Sequence, residues 1–171
     1  MKRLLLSGLL MVLCGCASTV EYGGRKEIAD LQGRVCLAPF ENATDDEHAG
    51  RAFTELFGTA MMERGVELIQ LSKTASEDPG AAVDYLHLAK EKKAVYLVAG
   101  AVHEYRYKTD LDGDPAVGVT IRIVEVSSKK TVWQASGSNV GVGFSSLTSA
   151  AQEVVGDIVR RMPWPAAPGR R

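Results

Sequence analysis

Apolar positions recur at intervals of three and four in two long stretches of the chain. The first holds Ala49, Ala52, Phe53, Leu56, Phe57, Ala60 and Met61; the second holds Leu147, Ala150, Ala151, Val154, Val155, Ile158, Val159 and Met162. With 3.6 residues per turn, that spacing lays one apolar stripe along a helix. Thr44 and Glu47 stand three apart ahead of the first stripe, the spacing of a capping box, and Gly65 is placed to end that helix. Arg160 and Arg161 suit the negative C-terminal end of the second helix, and Pro163 stops it. A third, weaker helix is predicted after Asp78-Pro79, an N-cap followed by proline at the first helical position, with Val83, Leu86 and Ala89 facing one way.

The remaining patterned segments read as strands. Residues 34–40 are a short apolar run ended by Pro39, and "VELIQL" (66–71) is a second. "AVYLVAGAVHEYRY" (94–107) is a long third strand, β-branched and aromatic at both ends. "AVGVTIRIVEV" (116–126) alternates strictly, and "TVWQASGS" follows it after the turn "SSKK". Trp133 alternates with Val132 on that last strand and reads as a packing residue. The predicted order is β-α-β-α-β-β-β-α, an α/β fold with a single mixed sheet covered by helices.

The N-terminus changes the picture of where this fold operates. Lys2 and Arg3 precede a ten-residue apolar run, Leu4 to Leu13. A spanning helix needs about twenty residues, whereas ten suit the apolar core of a signal peptide. The run ends in Leu13-Cys14-Gly15-Cys16, which resembles a bacterial lipobox; the alternative is an ordinary secretory signal with two incidental cysteines. The lipobox reading makes residues 1–15 a signal peptide and Cys16 the acylated N-terminus. More than one acyl chain anchors stably rather than marginally. Ala17 and Ser18 follow with no aspartate, which favours the outer membrane, so a periplasm-facing, lipid-anchored protein is expected. Residues 16–33, with charge and little periodicity, are expected to be the lipidated cysteine and a tether. Residues 34–163 are expected to form one domain, and 164–171 a frayed tail.

Of three cysteines only Cys36 then remains in the mature domain, so neither an internal disulfide nor a zinc cluster can form. Cys36 sits in "RVCLAPF" and reads as a small buried hydrophobe. Removing Lys2 and Arg3 from 20 basic residues leaves 18 against 21 acidic ones, a net charge of −3. No basic excess points to nucleic acid. Catalytic chemistry is sparse: His48, His87 and His103 are scattered, "HEYRY" lacks the second histidine of a zinc-protease helix, and neither GxSxG nor a phosphate loop is present. No enzyme activity, no cofactor and no metal site are expected.

"DLDGDPAVG" nevertheless places Asp110, Asp112 and Asp114 on alternate positions. A calcium loop of the EF-hand kind needs glycine at position six and a glutamate at twelve. Here those positions hold Pro115 and Ile121. Two readings remain, a solvated hairpin turn and an acidic patch.

"RVCLAPFENAT", "ERGVELIQ", "VYLVAGAV" and "VTIRIVEVSSKKTVWQASG" together resemble the CsgG/LpoB/TolB amino-terminal superfamily over residues 34–162, with Pro39, Phe40, Asn42 and Gly100 at its modest motif positions. The resemblance implies an anticodon-binding-like, TolB-N-like fold. The compact size, without long insertions, resembles the PelC group, outer-membrane lipoproteins of Pel exopolysaccharide export. That group implies a homo-oligomeric ring, a dodecamer, partnered by an export barrel protein and guiding a cationic polysaccharide. The alternatives within the superfamily are an LpoB-like activator of a cell-wall synthase and a CsgG-like secretion component.

With the strand directions that the resemblance implies, Glu41, Asp45, Asp46 and Glu47 emerge at the same sheet end as Asp110, Asp112 and Asp114. Lys90, Lys92, Lys93, Lys129 and Lys130 lie opposite. Repeated round a ring, the acids would attract polycations; on a monomer they would be dispersed surface charge. Val140, Val142 and Phe144 are apolar residues in a glycine-rich loop. They either tuck onto the core or form a membrane-facing or subunit-facing tip. Trp164 is read either as an interfacial anchor or as part of the frayed tail.

Overall fold

The computed structural model describes residues 18–28, 31, 33–72, 84–108, 113–141 and 145–165. Its strands are β1 (Thr19–Gly24), β2 (Arg34–Leu37), β3 (Glu41–Asn42), β4 (Glu67–Gln70), β5 (Tyr96–Tyr107), β6 (Pro115–Glu125) and β7 (Lys130–Val140). Its helices are α1 (Ala49–Glu63), α2 (Tyr85–Glu91) and α3 (Leu147–Arg161). The strands make a single mixed sheet in the order β1-β7-β6-β5-β2-β4, with the short β3 continuing alongside β5. β2 runs parallel to both β4 and β5, whereas β5, β6 and β7 form an antiparallel meander. The α/β class and single mixed sheet agree with the sequence pattern.

Alternation decides which side chains meet. Val117, Val119, Ile121 and Ile123 of β6 point to one face and are buried, while Thr120 and Arg122 point to the other. The helical stripes cover the first face. Phe53, Phe57 and Met61 of α1 and Val154, Val155 and Ile158 of α3 pack there with Leu37, Val98 and Trp133. Trp133 is packed as expected, 2% exposed, with its ring 6.4 Å from that of Tyr22. The other face is covered only in part. Around α2 a smaller core gathers Cys36, Ala38, Leu71, Ala89 and Leu97. Burial pushes the Cys36 thiol up, against the opposing charges of Lys92 and Arg34.

Phe40 and Gly100 turn out to be two halves of one contact. Gly100 lies on the core face of β5, and a Cβ built on it would stand 2.8–2.9 Å from three atoms of the Phe40 ring. The ring cannot swing clear, being 5% exposed and packed on Phe57 at 5.7 Å between centroids. Gly65, expected to end α1, does so with φ of 80°. Its amide bonds Met62 O at 2.9 Å and the Val66 amide bonds Met61 O at 3.4 Å, the paired bonds of a Schellman cap.

Four expectations are corrected. Residues 19–24 are not a bare tether: β1 pairs antiparallel with β7 from Thr19↔Ser138 to Gly24↔Trp133, and Ile28 and Leu31 sit in the main core. A strand exposed nearly throughout carries no apolar alternation, so its sequence hides it. The Thr44/Glu47 box does not form, since α1 starts after His48 without a side-chain cap. The described part of the weak helix starts at Tyr85, where the Asp84 side chain accepts from the Leu86 and His87 amides, both at 3.0 Å; Asp78 and Pro79 lie outside the described residues. Trp164 is neither frayed nor an interfacial anchor. Its indole donates to Val159 O at 2.6 Å, Arg64 lies over its ring at 5.8 Å, and it packs against the main core.

Replacing Gly100 by alanine is expected to lower stability by about 1–3 kcal/mol through overpacking, read from urea unfolding. Phe40→Leu in the same chain should recover part of that loss, because residues in contact are not additive. Simple additivity of the two changes would refute the contact.

Candidate functional site

β2, β3, β5 and β7 all run toward the same end of the sheet, so the loops after them cluster there. β1 runs the other way and begins there, with Thr19 opposite Ser138. Cys16 lies outside the described residues; three residues of chain reach at most about 11 Å from Thr19. The described chain therefore begins at the end of the sheet where β7 finishes in Val140, which is 43% exposed. Val142 and Phe144 lie outside the described residues.

The turn from β3 to α1 is built by Asn42. Its side-chain nitrogen donates to Asp46 O at 2.7 Å, and its side-chain oxygen accepts from the Thr44 amide at 3.1 Å and hydroxyl at 2.8 Å. Asp46 then accepts the His48 amide on its own carboxylate at 2.8 Å, and Ala49 donates to the Asp46 carbonyl at 3.2 Å. An asparagine competes for local backbone groups better than the spaced Thr44/Glu47 pair does, which is why the capping box fails. Asp46 is consequently a structural acid.

The expected acidic residues are divided by this geometry. Glu41 shares the face of Ala101 and lines a shallow depression with His103, Thr120 and Arg122 on the uncovered side of the sheet. It also helps to push the Tyr85 hydroxyl up, secondary to burial. Asp45 and Asp46 line a groove of about 830 Å³ against residues 103–107. Glu47 is 3.3 Å from His48 at the surface. Asp114 lies at the β5–β6 hairpin, where its carbonyl accepts the Lys108 amide at 2.8 Å. Asp110 and Asp112 lie outside the described residues. Six residues separate Ala101, opposite Glu41, from Tyr107 at the end of β5, or about 20 Å of strand. Charges that far apart are screened from each other, the Debye length in physiological salt being about 8 Å.

Cations enter the same end. Arg106 is paired with Glu104 at 3.0 Å, and Lys108 follows on the hairpin. At the opposite end the register sets Tyr96 against Glu125, so Lys92 and Lys93 lie on the side of Lys129 and Lys130 as expected. Acids are mixed in there too. Glu125 is held below the usual carboxylate range first by the Ser128 hydroxyl and then by Arg25. Glu67 pairs with Arg34 at 2.9 Å. Exposed pairs of this kind contribute about 0–1 kcal/mol each, so the charge pattern bears on recognition more than on folding.

The sequence reading weighed His103 only as a catalytic or metal-binding candidate and passed over Arg106 and Tyr107. His103 is the extra residue of a β-bulge between Val102 and Glu104, and its Nε2 lies 3.1 Å from the Thr120 hydroxyl, itself 3.0 Å from that of Ser136. "HEYRY" itself held the clue, because charged residues mixed with aromatics suit an exposed edge better than a buried strand. The three histidines remain apart, and among the described residues no three His, Cys, Asp or Glu side chains gather as a metal site. No described helix is long and apolar enough to cross a membrane.

Solved lipoproteins share this architecture. The PelC dodecamer from Paraburkholderia phytofirmans is 27% identical, covers 86% of this chain and 99% of its own, and has a TM-score of 0.73. A single-residue variant of that PelC, also dodecameric, is 27% identical over 85% of this chain and 97% of its own, with a TM-score of 0.72. Lipoprotein GNA1162 from Neisseria meningitidis shares the fold at 16% identity, covering 76% of this chain and 97% of its own with a TM-score of 0.59. No protein-family model matches the chain, and no curated protein matches it.

Asn42→Ala should cost about 1–2 kcal/mol, since it strips partners from the Thr44 amide and the Asp46 carbonyl. Hydrogen exchange at Thr44 should quicken while amides in β6 stay protected. Equal quickening in both places would mean global destabilisation rather than a loosened turn.

Proposed function

We propose that this PelC-like lipoprotein forms a homo-oligomeric ring, held in the outer membrane by lipid on Cys16, that guides a cationic exopolysaccharide of the Pel type to an export barrel. The likeness to a dodecameric PelC across 86% of the chain is the observation that carries this reading. The role is non-enzymatic: positioning and charge, with no reacting group required.

The geometry supports an orientation within that reading. The start of β1 beside Ser138, at the same end of the sheet as Val140, supports an anchor on Cys16 at that end. The loop of Val140, Val142 and Phe144 then meets the bilayer or the neighbouring subunit. The turn of Asp45–Glu47 and Asp114 of the β5–β6 hairpin stand at that end as well, with Glu41 further back along β5; Asp110 and Asp112, outside the described residues, precede Asp114 by four and two positions in the sequence. Within one subunit these acids are too dispersed to act together. A ring repeats each one round a shared opening, and their fields then sum over the confined path of the polymer.

The full-length acylated protein in detergent should run as a dodecamer by mass photometry, and a monomer at micromolar concentration would overturn the ring. Replacing Asp45, Asp110, Asp112 and Asp114 together by asparagine should reduce polymer secretion severalfold with far-UV circular dichroism unchanged. Asp46 is left intact because the turn is built on it. Secretion at the wild-type level would remove the charge role while leaving the ring standing.

A further inference from the structure

The groove of about 830 Å³ between the β3–α1 turn and the last residues of β5 has features that a charge funnel does not need. Its size falls within the range of about 300–1,000 Å³ typical of small-ligand sites. Beyond Val102 no described strand pairs with β5 on this side, so the groove runs along an open edge. Tyr107 lies on its rim, 51% exposed, a large aromatic face left in water. Asp45 also lines the groove, and among the described residues its carboxylate has no hydrogen-bond or ion-pair partner. Arg106 lines it with its charge answered by Glu104, which leaves the remaining guanidinium N–H groups to donate.

These are the groups that a sugar ring with a free amine requires. Its apolar C–H face stacks on an aromatic ring, its hydroxyls bond to planar carboxylate and guanidinium groups, and its ammonium sits against an unpaired carboxylate or over the ring. An edge guarded only by charge would serve equally well with a serine or lysine at 107. We propose that this groove is a saccharide subsite that binds a cationic hexosamine unit, with Tyr107 as the stacking platform and Asp45 as the ammonium partner. The inference rests on the cationic-polymer reading above and adds a short-range site to it.

The test uses the full-length acylated protein in detergent, titrated calorimetrically with a glucosamine pentamer and, separately, with its fully N-acetylated counterpart. The glucosamine pentamer should bind, and the acetylated one more weakly. Tyr107→Ala should weaken binding about five- to tenfold, the scale of one aromatic contact, and Tyr107→Phe should retain it because the ring face is kept. Asp45→Asn should narrow the gap between the two pentamers. Tyr107 is exposed, so its replacement leaves the core untouched.

Equal binding by wild type and Tyr107→Ala would overturn the subsite, and so would a failure of both pentamers to bind. Neither result touches the ring or the secretion measurement, which decide the broader reading by themselves. Displacement of the pentamer by polylysine with no dependence on Tyr107 would also overturn it, as charge alone would then account for binding.

Discussion

The close approach of the Phe40 ring to Gly100 is the contact on which the rest of the architecture depends. β2 ends at Leu37, and the chain must then turn from the sheet into α1. Phe40 makes that turn specific by entering the space that a side chain on β5 would have occupied, then stacking on Phe57 of the helix. One aromatic side chain thereby joins β2, β5 and α1. It also fixes where β3 lies along β5, with Glu41 opposite Ala101 and Asn42 opposite Val102. Everything downstream at the functional end inherits that register, including the direction of the Asn42 turn and the position of Asp45 in the same groove as Tyr107.

The functional end follows from connectivity rather than from any local motif. Parallel pairing of β2 with β5 sends both following loops the same way, and the meander returns β7 to that end. β1 closes the arrangement by starting at that same end alongside β7, with Thr19 opposite Ser138. The start of β1, the Asp45–Glu47 turn, Asp114 and the exposed Val140 thus share one end of the sheet while being spread over more than a hundred residues of sequence. Mixed signs of charge temper the picture of a purely acidic end, because Arg106 and Lys108 stand among the acids.

Much of the fold was legible. β6 alternates from Val117 to Ile123, and α1 and α3 carry unbroken stripes, since each buries one continuous face and hydrophobic burial writes its period into the sequence. β1 was not legible, because an edge strand with five exposed positions buries little beyond Val20 and is held by its pairing with a partner over a hundred residues away. The capping box misled for a related reason. Thr44 and Glu47 have the right spacing, but Asn42 had already claimed Thr44 through a nearer bond. Trp164 looked like a tail residue because Pro163 ends the helix, yet its indole finds a carbonyl of that same helix.

By itself the sequence determined the type and order of every element but β1 and β3, the apolar stripes of α1 and α3 and the pattern of a lipobox, all of which depend on neighbours a few residues apart. It also argued against a calcium loop of the EF-hand kind at the aspartate hairpin, because Pro115 and Ile121 stand where such a loop needs glycine and glutamate. Only the tertiary structure decided which acids share a groove, that Asp46 is committed to a turn while Asp45 is not, and that Tyr107 lines the same groove. Those relations depend on strand register and on one ring packed over one glycine, and no local pattern encodes distances between segments so far apart in the chain.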